Sequence, residues 1–197
     1  MILRDKYVIT GELYNEALSY AESSKAYTSN RHDFHAGGLS NKKRKMLEGK
    51  LGEKAIKLLF NDNLISYIED PSSFDERDEY DFLLVNEKEQ LKVDVKTRTE
   101  DFHIRTLELV EQAKTHPKDI YISVRLFRDS NTVVILGWFT YKEMLAKSQI
   151  ENQGYLDNYV MYDNDLHPIE DLEQCVLNRF RTERCFDYFS FLNTKMY

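Results

Sequence analysis

The chain has 197 residues, 42% of them aliphatic or aromatic and 31% charged, with a formal charge of −7. That apolar share excludes disorder as the main state, and a chain of this length buries roughly 70% of its unfolded surface, as expected for one domain over 1–197. The longest apolar run, Thr132–Phe139, contains Gly137 and falls far short of the ~20 residues that span a bilayer; Met1–Lys6 lacks a signal-peptide core. A cytoplasmic protein without a membrane partner, with Cys175 and Cys185 reduced, is therefore expected.

In chain order, Thr10 to about Ser24 has a helical pattern with Thr10 as its cap. The polar stretch around Gly37 and Gly38 is a loop, and it contains His32 and His35 without metal-ligand spacing. Ser40 starts a longer helix running to about Phe60. Leu64–Ile68 is a short strand, and Tyr80–Val85 and Leu91–Arg98 form a hairpin. Arg105–Lys114 is expected to be a helix ended by Pro117. Asp119–Phe127 and Thr132–Phe139 are expected strands, and Thr140 with Glu143 has capping-box spacing. This order gives an α/β fold: a central mixed β-sheet flanked by helices, because the hairpin is antiparallel and the helical crossover suits a parallel neighbour. The core covers about 40–139. The first forty residues and the segment from 140 to 197 are N- and C-terminal elaborations. The aromatic tail with Phe180, Phe186, Tyr188, Phe189 and Phe191 suits either this core or a dimer surface.

Charge is unevenly placed. Glu151–Gln174 carries seven acids and no Lys or Arg, so the rest of the chain is neutral. Asn41–Lys57 carries seven bases, including Lys42, Lys43, Arg44 and Lys45, against Glu48 and Glu53. Four cations in the first helical turn oppose the helix dipole at about 0.3–1 kcal/mol each, which points to an anionic partner. Charge alone is equally compatible with two solvated faces.

The stretch LKVDVKTRT is unusual. Strand alternation puts Lys92, Asp94, Lys96 and Arg98 on one face and Leu91, Val93, Val95 and Thr97 on the other, so an acid sits between bases. Asp81 precedes Asp94 by thirteen residues across the hairpin. Glu53 lies upstream on the long helix, with Gly49, Gly52, Ile56 and Phe60 as its helical neighbours, a face that packs closely on something. A carboxylate there needs a partner.

These residues resemble the PD-(D/E)XK nuclease superfamily, the restriction-endonuclease-like fold. The resemblance rests on Asp81 in EYDF, Asp94-Val95-Lys96 in VDVKT and Glu53 in GKLGEKAI, and covers about Ser40–Phe139. Asp81 follows Tyr80 where the family commonly has proline, and Asp94 stands where glutamate is commoner. The resemblance implies that Asp81, Asp94, the Val95 carbonyl and Glu53 hold Mg²⁺ or Mn²⁺, and that Lys96 holds the attacking water and the scissile phosphate. Such an ion suits hard carboxylate oxygens and lowers the pKa of its water. Lys42, Lys43, Arg44, Lys45 and Arg98 would contact phosphates; Arg98 is as readily a surface arginine.

The spacing is most similar to small Holliday-junction resolvases, homodimers that cut paired strands at DNA branches. Restriction endonucleases and single-strand exonucleases of this fold use the same four residues. A catalytically silent nucleic-acid- or protein-binding module is the alternative from another class. Neither a P-loop nor a nucleophile elbow occurs in the sequence.

Overall fold

The computed structural model describes residues 4–23, 39–70, 79–152, 154 and 156–181. Its elements are β1 (Lys6–Val8), α1 (Gly11–Ser23), α2 (Leu39–Asp62), β2 (Tyr67–Glu69), β3 (Phe82–Val85), β4 (Gln90–Arg98), β5 (Arg105–Leu109), α3 (Val110–Thr115), β6 (Ile120–Phe127), β7 (Thr132–Thr140), α4 (Tyr141–Lys147), β8 (Gln149–Asn152), β9 (Asp157–Tyr162) and α5 (Ile169–Cys175). Six strands form a mixed sheet in the order β1-β7-β6-β4-β3-β2. Within it only β4 and β6 run parallel, the pair joined through α3. β6 is central and nearly all buried, which is why its sequence IYISVRLF is apolar on both faces rather than alternating.

α2 supplies the layer over one face of this sheet. Leu51, Ala55, Ile56, Leu59 and Phe60 recur at helical spacing and join Val93, Val95 and Val124 in the main core. The crossing is close because Gly52 has no side chain. A Cβ added there would lie 2.0 Å from Thr97 Oγ1 and 3.0 Å from Val124 Cγ2. Gly52→Ala is thus expected to cost about 1–3 kcal/mol or more by forcing helix and sheet apart. At Gly49 an added Cβ meets nothing within 4 Å, so Gly49→Ala should instead gain up to about 1 kcal/mol of helix propensity. Urea denaturation of the two variants checks this opposition of sign.

The expected helix over Arg105–Lys114 is corrected. Only Val110–Thr115 is helical, and Arg105–Leu109 is a strand that buries Thr106 and Glu108. It pairs with β9, from the acidic segment, in a second sheet of order β5-β9-β8. That partner lies far downstream, where local periodicity does not reach. A second apolar cluster, with Tyr121 stacked on Phe139 and packed with Met144, Tyr159 and Met161, joins this sheet to the first. The capping box at Thr140 is present: its hydroxyl accepts from the Glu143 N–H, and the Glu143 carboxylate accepts from the Thr140 N–H.

Two further expectations shift. The short strand expected at Leu64–Ile68 is Tyr67–Glu69, since Leu64 takes a left-handed φ of 58°. β1, unforeseen, pairs with β7 at the sheet edge. Phe180 is buried in the main core, while Cys175 is exposed and free. His32, His35, Cys185 and the rest of the aromatic tail lie outside the described residues. No helix among the described residues is long and apolar enough to cross a membrane.

Candidate active site at the open edge of β4

The β3–β4 hairpin splays. β3 pairs with β4 only over Gln90–Val93, whereas β4 continues to Arg98 with β6 on its other side. From Asp94 onward the edge that β3 covered has no strand partner among the described residues. Asp81 lies one step past the Phe82–Val93 pair, which brings it opposite Asp94. The Asp81 backbone N–H donates to the Val93 carbonyl at 3.0 Å, and its Oδ2 accepts from the Val95 N–H at 2.6 Å. A side chain thus takes the first open backbone donor. The Val95 carbonyl points the same way as its N–H, so it too faces this edge.

On the α2 side, Lys50 Nζ donates to Glu53 Oε2 at 2.7 Å. Burial would depress the Lys50 ammonium, but Glu53 and Asp81 outweigh it and hold it above its ordinary pKa. A cavity of about 260 Å³ lined by Lys50, Glu53, Asp70 and Asp81 opens here. The Asp81 carboxyl is pushed well above the ordinary carboxylate range, first by burial, then by the charges of Glu53 and Asp94; Lys50 and the Val95 N–H act against this. Asp81 therefore faces like charge from two sides, Glu53 on one and Asp94 on the other.

Alternation turns Asp94 and Lys96 away from the Val95–Thr97 face that α2 covers. They are not solvent-facing. Asp94 is 7% exposed, and Lys96 Nζ lies 2.8 Å from Asp94 Oδ2 and 2.5 Å from Glu108 Oε2. Glu108 is 2% exposed and is delivered by β5. Burial raises its pKa, with Lys96 acting against it. Burial would lower Lys96, but Asp94 and Glu108 prevail and keep it protonated. Lys118 is buried as well, its Nζ without a hydrogen-bond partner. Burial depresses its pKa against the pull of Asp94 and Glu108.

The four motif residues thus divide into two pairs, Glu53 with Asp81 and Asp94 with Lys96, coupled through the Asp81–Asp94 repulsion. The donor set suits a hard divalent cation: carboxylate oxygens and one carbonyl, with mutual repulsion that a cation relieves. In this arrangement lysines already neutralise Glu53 and Asp94. Among the described residues, no three His, Cys, Asp or Glu groups converge closely enough to ligate one ion.

The basic run does not act as one patch. Lys43 pairs with Glu22 at 2.7 Å, and Arg44 leans on Asn41 and Glu48. Lys42 is half-buried, and Lys45 is exposed and lines a second cavity. Arg98 is turned inward: it is 8% exposed and pairs with Asp163 of the acidic segment at 2.5 Å. Sequence reasoning missed Lys50, Glu108 and Lys118. The position of Lys50 three residues before Glu53 is a usable signal; Glu108 and Lys118 have none without the second sheet.

No protein-family model matches the chain, and no curated protein matches it in sequence. Two solved structures are similar. One is a bacterial homing endonuclease, at 14% identity and a TM-score of 0.36, covering 59% of this chain and 73% of that one. The other is a nuclease from a fusselovirus, at 11% identity and a TM-score of 0.40, covering 75% of this chain and 98% of that one. Likeness at this level fixes neither family nor activity.

Proposed function

We propose that this chain is a metal-dependent nuclease hydrolysing DNA phosphodiester bonds, and that it cuts branched DNA as the Holliday-junction resolvases its motif resembles do. The observation that carries this reading is Asp81: a carboxylate raised by burial, Glu53 and Asp94, at the open edge of β4, with the Lys96 ammonium two residues from Asp94. A structural protein gains nothing from stacking like charges, whereas strongly perturbed groups collect at functional sites.

Asp81, Asp94, the Val95 carbonyl and Glu53 would hold Mg²⁺ or Mn²⁺. Such an ion, when bound, lowers the pKa of its water and neutralises charge growing on phosphate. Lys96, kept protonated by Asp94 and Glu108, would donate to a phosphate oxygen and orient the attacking water. Lys50 balances the acids of the α2 side while no phosphate is bound. Of the basic run, Lys45 and the half-buried Lys42 would steer DNA despite the net negative charge; Lys43 and Arg44 would first have to leave Glu22 and Glu48, and Arg98, held by Asp163, would support the fold rather than touch phosphate. Cutting paired strands at a branch needs two such sites, hence a homodimer.

One observation favours a second reading, a catalytically silent binding module: both site lysines already sit on the acids, and no three ligands converge. Calorimetric titration with Mn²⁺ separates the two. The nuclease takes up Mn²⁺ saturably and loses that uptake in Asp94→Asn; absence of saturable uptake by the folded wild type overturns it in favour of the module.

A further inference from the structure

The second cavity lies along the open edge of β4, on the Lys96 side, and encloses about 440 Å³, within the usual ~300–1,000 Å³ of small-ligand sites. Gly49 of α2 forms part of one wall, Val95 to Thr99 run along the edge, and His103, Arg105, Thr106 and Leu107 close the far side. Its walls mix two kinds of surface. Lys45, Lys96 and Arg105 bring cationic groups, of which Lys96 is shared with Asp94 and Glu108 and Arg105 is paired with Glu151. The one lining carboxylate, Glu48, is held by Arg128, while Val95 and Leu107 are apolar and Gly49 is bare. Because a Cβ at Gly49 would touch nothing within 4 Å, the helix opens directly into this space.

Beside it stands an aromatic with no packing reason for its position. Phe102 is 75% exposed, and its ring makes an edge contact with the lining residue His103, centroids 4.6 Å apart. Ile104, on the other side of His103, is exposed too. An exposed aromatic next to a cationic cavity is what stacking on a base while holding its phosphate requires. A paired base inside a duplex shows only its edges, so it cannot place a face on Phe102.

We infer that this cavity receives an unpaired nucleotide of a DNA or RNA strand, its phosphate against Lys45, Arg105 and Lys96 and its base on the Phe102–His103 rim. The inference rests on the nuclease reading for its link to Lys96 and deepens it: the substrate presents an unpaired nucleotide next to the scissile phosphate. At a strand end, gap or flap such a nucleotide is already free, whereas at a fully paired four-way junction one pair at the crossover must open, which carries an unstacking cost.

The test is fluorescence anisotropy in the presence of chelator, so that binding is measured without cleavage. The probes are labelled twelve-residue oligo-dT, oligo-U and a blunt duplex of equal length. The wild type is compared with Phe102→Ala and with Gly49→Leu, which fills the cavity from a site where an added Cβ meets nothing within 4 Å. A single strand should bind at least about ten-fold more tightly than the duplex, and each variant should weaken that binding about five- to hundred-fold. Tighter binding of oligo-dT or of oligo-U ranks two strands that differ in the 2′-hydroxyl and in the thymine methyl, oligo-dU separates those two causes, and either ranking upholds the inference. Equal affinity for the duplex overturns it, as does single-strand binding unchanged in Phe102→Ala, a surface change that leaves the fold alone. Strand binding that meets these criteria in a protein that cuts nothing with metal would sink the nuclease reading and leave the cavity assigned. Metal-dependent cutting with no response to either variant would do the reverse.

Discussion

Asp81→Asn is expected to abolish cleavage and, in metal-free buffer near neutral pH, to raise the melting temperature. The two effects share a cause. Asp81 is half-buried against Glu53 and Asp94, so its charged form is disfavoured and its carboxyl titrates well above its ordinary value of 3.8. A carboxyl raised by folding contributes stability that is full below its unfolded pKa, near 3.8, and is lost as pH rises through the raised value. At neutral pH the wild type has therefore lost part of that stability, whether by holding the disfavoured charge or by taking up a proton on folding. Asparagine keeps an oxygen for the Val95 N–H and removes the repulsion. The same charge is what a divalent cation binds, so cleavage should fall at least ~100-fold. Calorimetric melting with chelator across pH 4–8 checks the first effect, and single-turnover cleavage with Mg²⁺ the second. A variant that melts lower than wild type and still cuts would place the functional carboxylate elsewhere.

Lys96→Ala should show the opposite stability effect. Lys96 Nζ is the shared partner of Asp94 and Glu108, both almost fully buried. Breaking a buried charge pair from one side leaves an uncompensated charge and costs about 3–5 kcal/mol. The loss should shrink at acid pH, because Glu108 already leans towards its protonated form and becomes neutral first. Lys96→Ala combined with Glu108→Gln should recover much of the stability without recovering cleavage, a coupling that a double-mutant cycle in urea resolves. Activity loss in Lys96→Ala alone mixes chemistry with folding; the double variant isolates the chemistry. A cost under about 1 kcal/mol for the single variant would show that Lys96 is not the clamp between β4 and β5.

The sequence displays the sheet core where its signals are local. The alternation in Leu91–Arg98, the capping box at Thr140 and the helix through Leu51, Ala55 and Leu59 each follow from spacing within one element. The second sheet does not follow, because β5 is short, carries Arg105 and Glu108, and becomes a strand only when β9 arrives from the acidic segment. That segment also supplies Asp163 to Arg98 and Glu151 to Arg105. Its charge is thus partly spent on internal basic residues. The alternation of β4 was legible as two faces, but not that both are covered: period two separates faces without saying what packs on them. Glu53, Asp81, Asp94 and Lys96 stand out by residue type and spacing, while their split into two lysine-neutralised pairs depends on where α2 and β5 lie.

The measurement that bears most directly on the nuclease reading is cleavage of a four-way junction and of a linear duplex, with Mg²⁺ or with chelator, beside Asp94→Asn. The expected result is metal-dependent cutting, faster on the junction and absent in the variant. A folded, metal-loaded wild type that leaves both substrates intact, or cutting that persists in chelator or in Asp94→Asn, would contradict it.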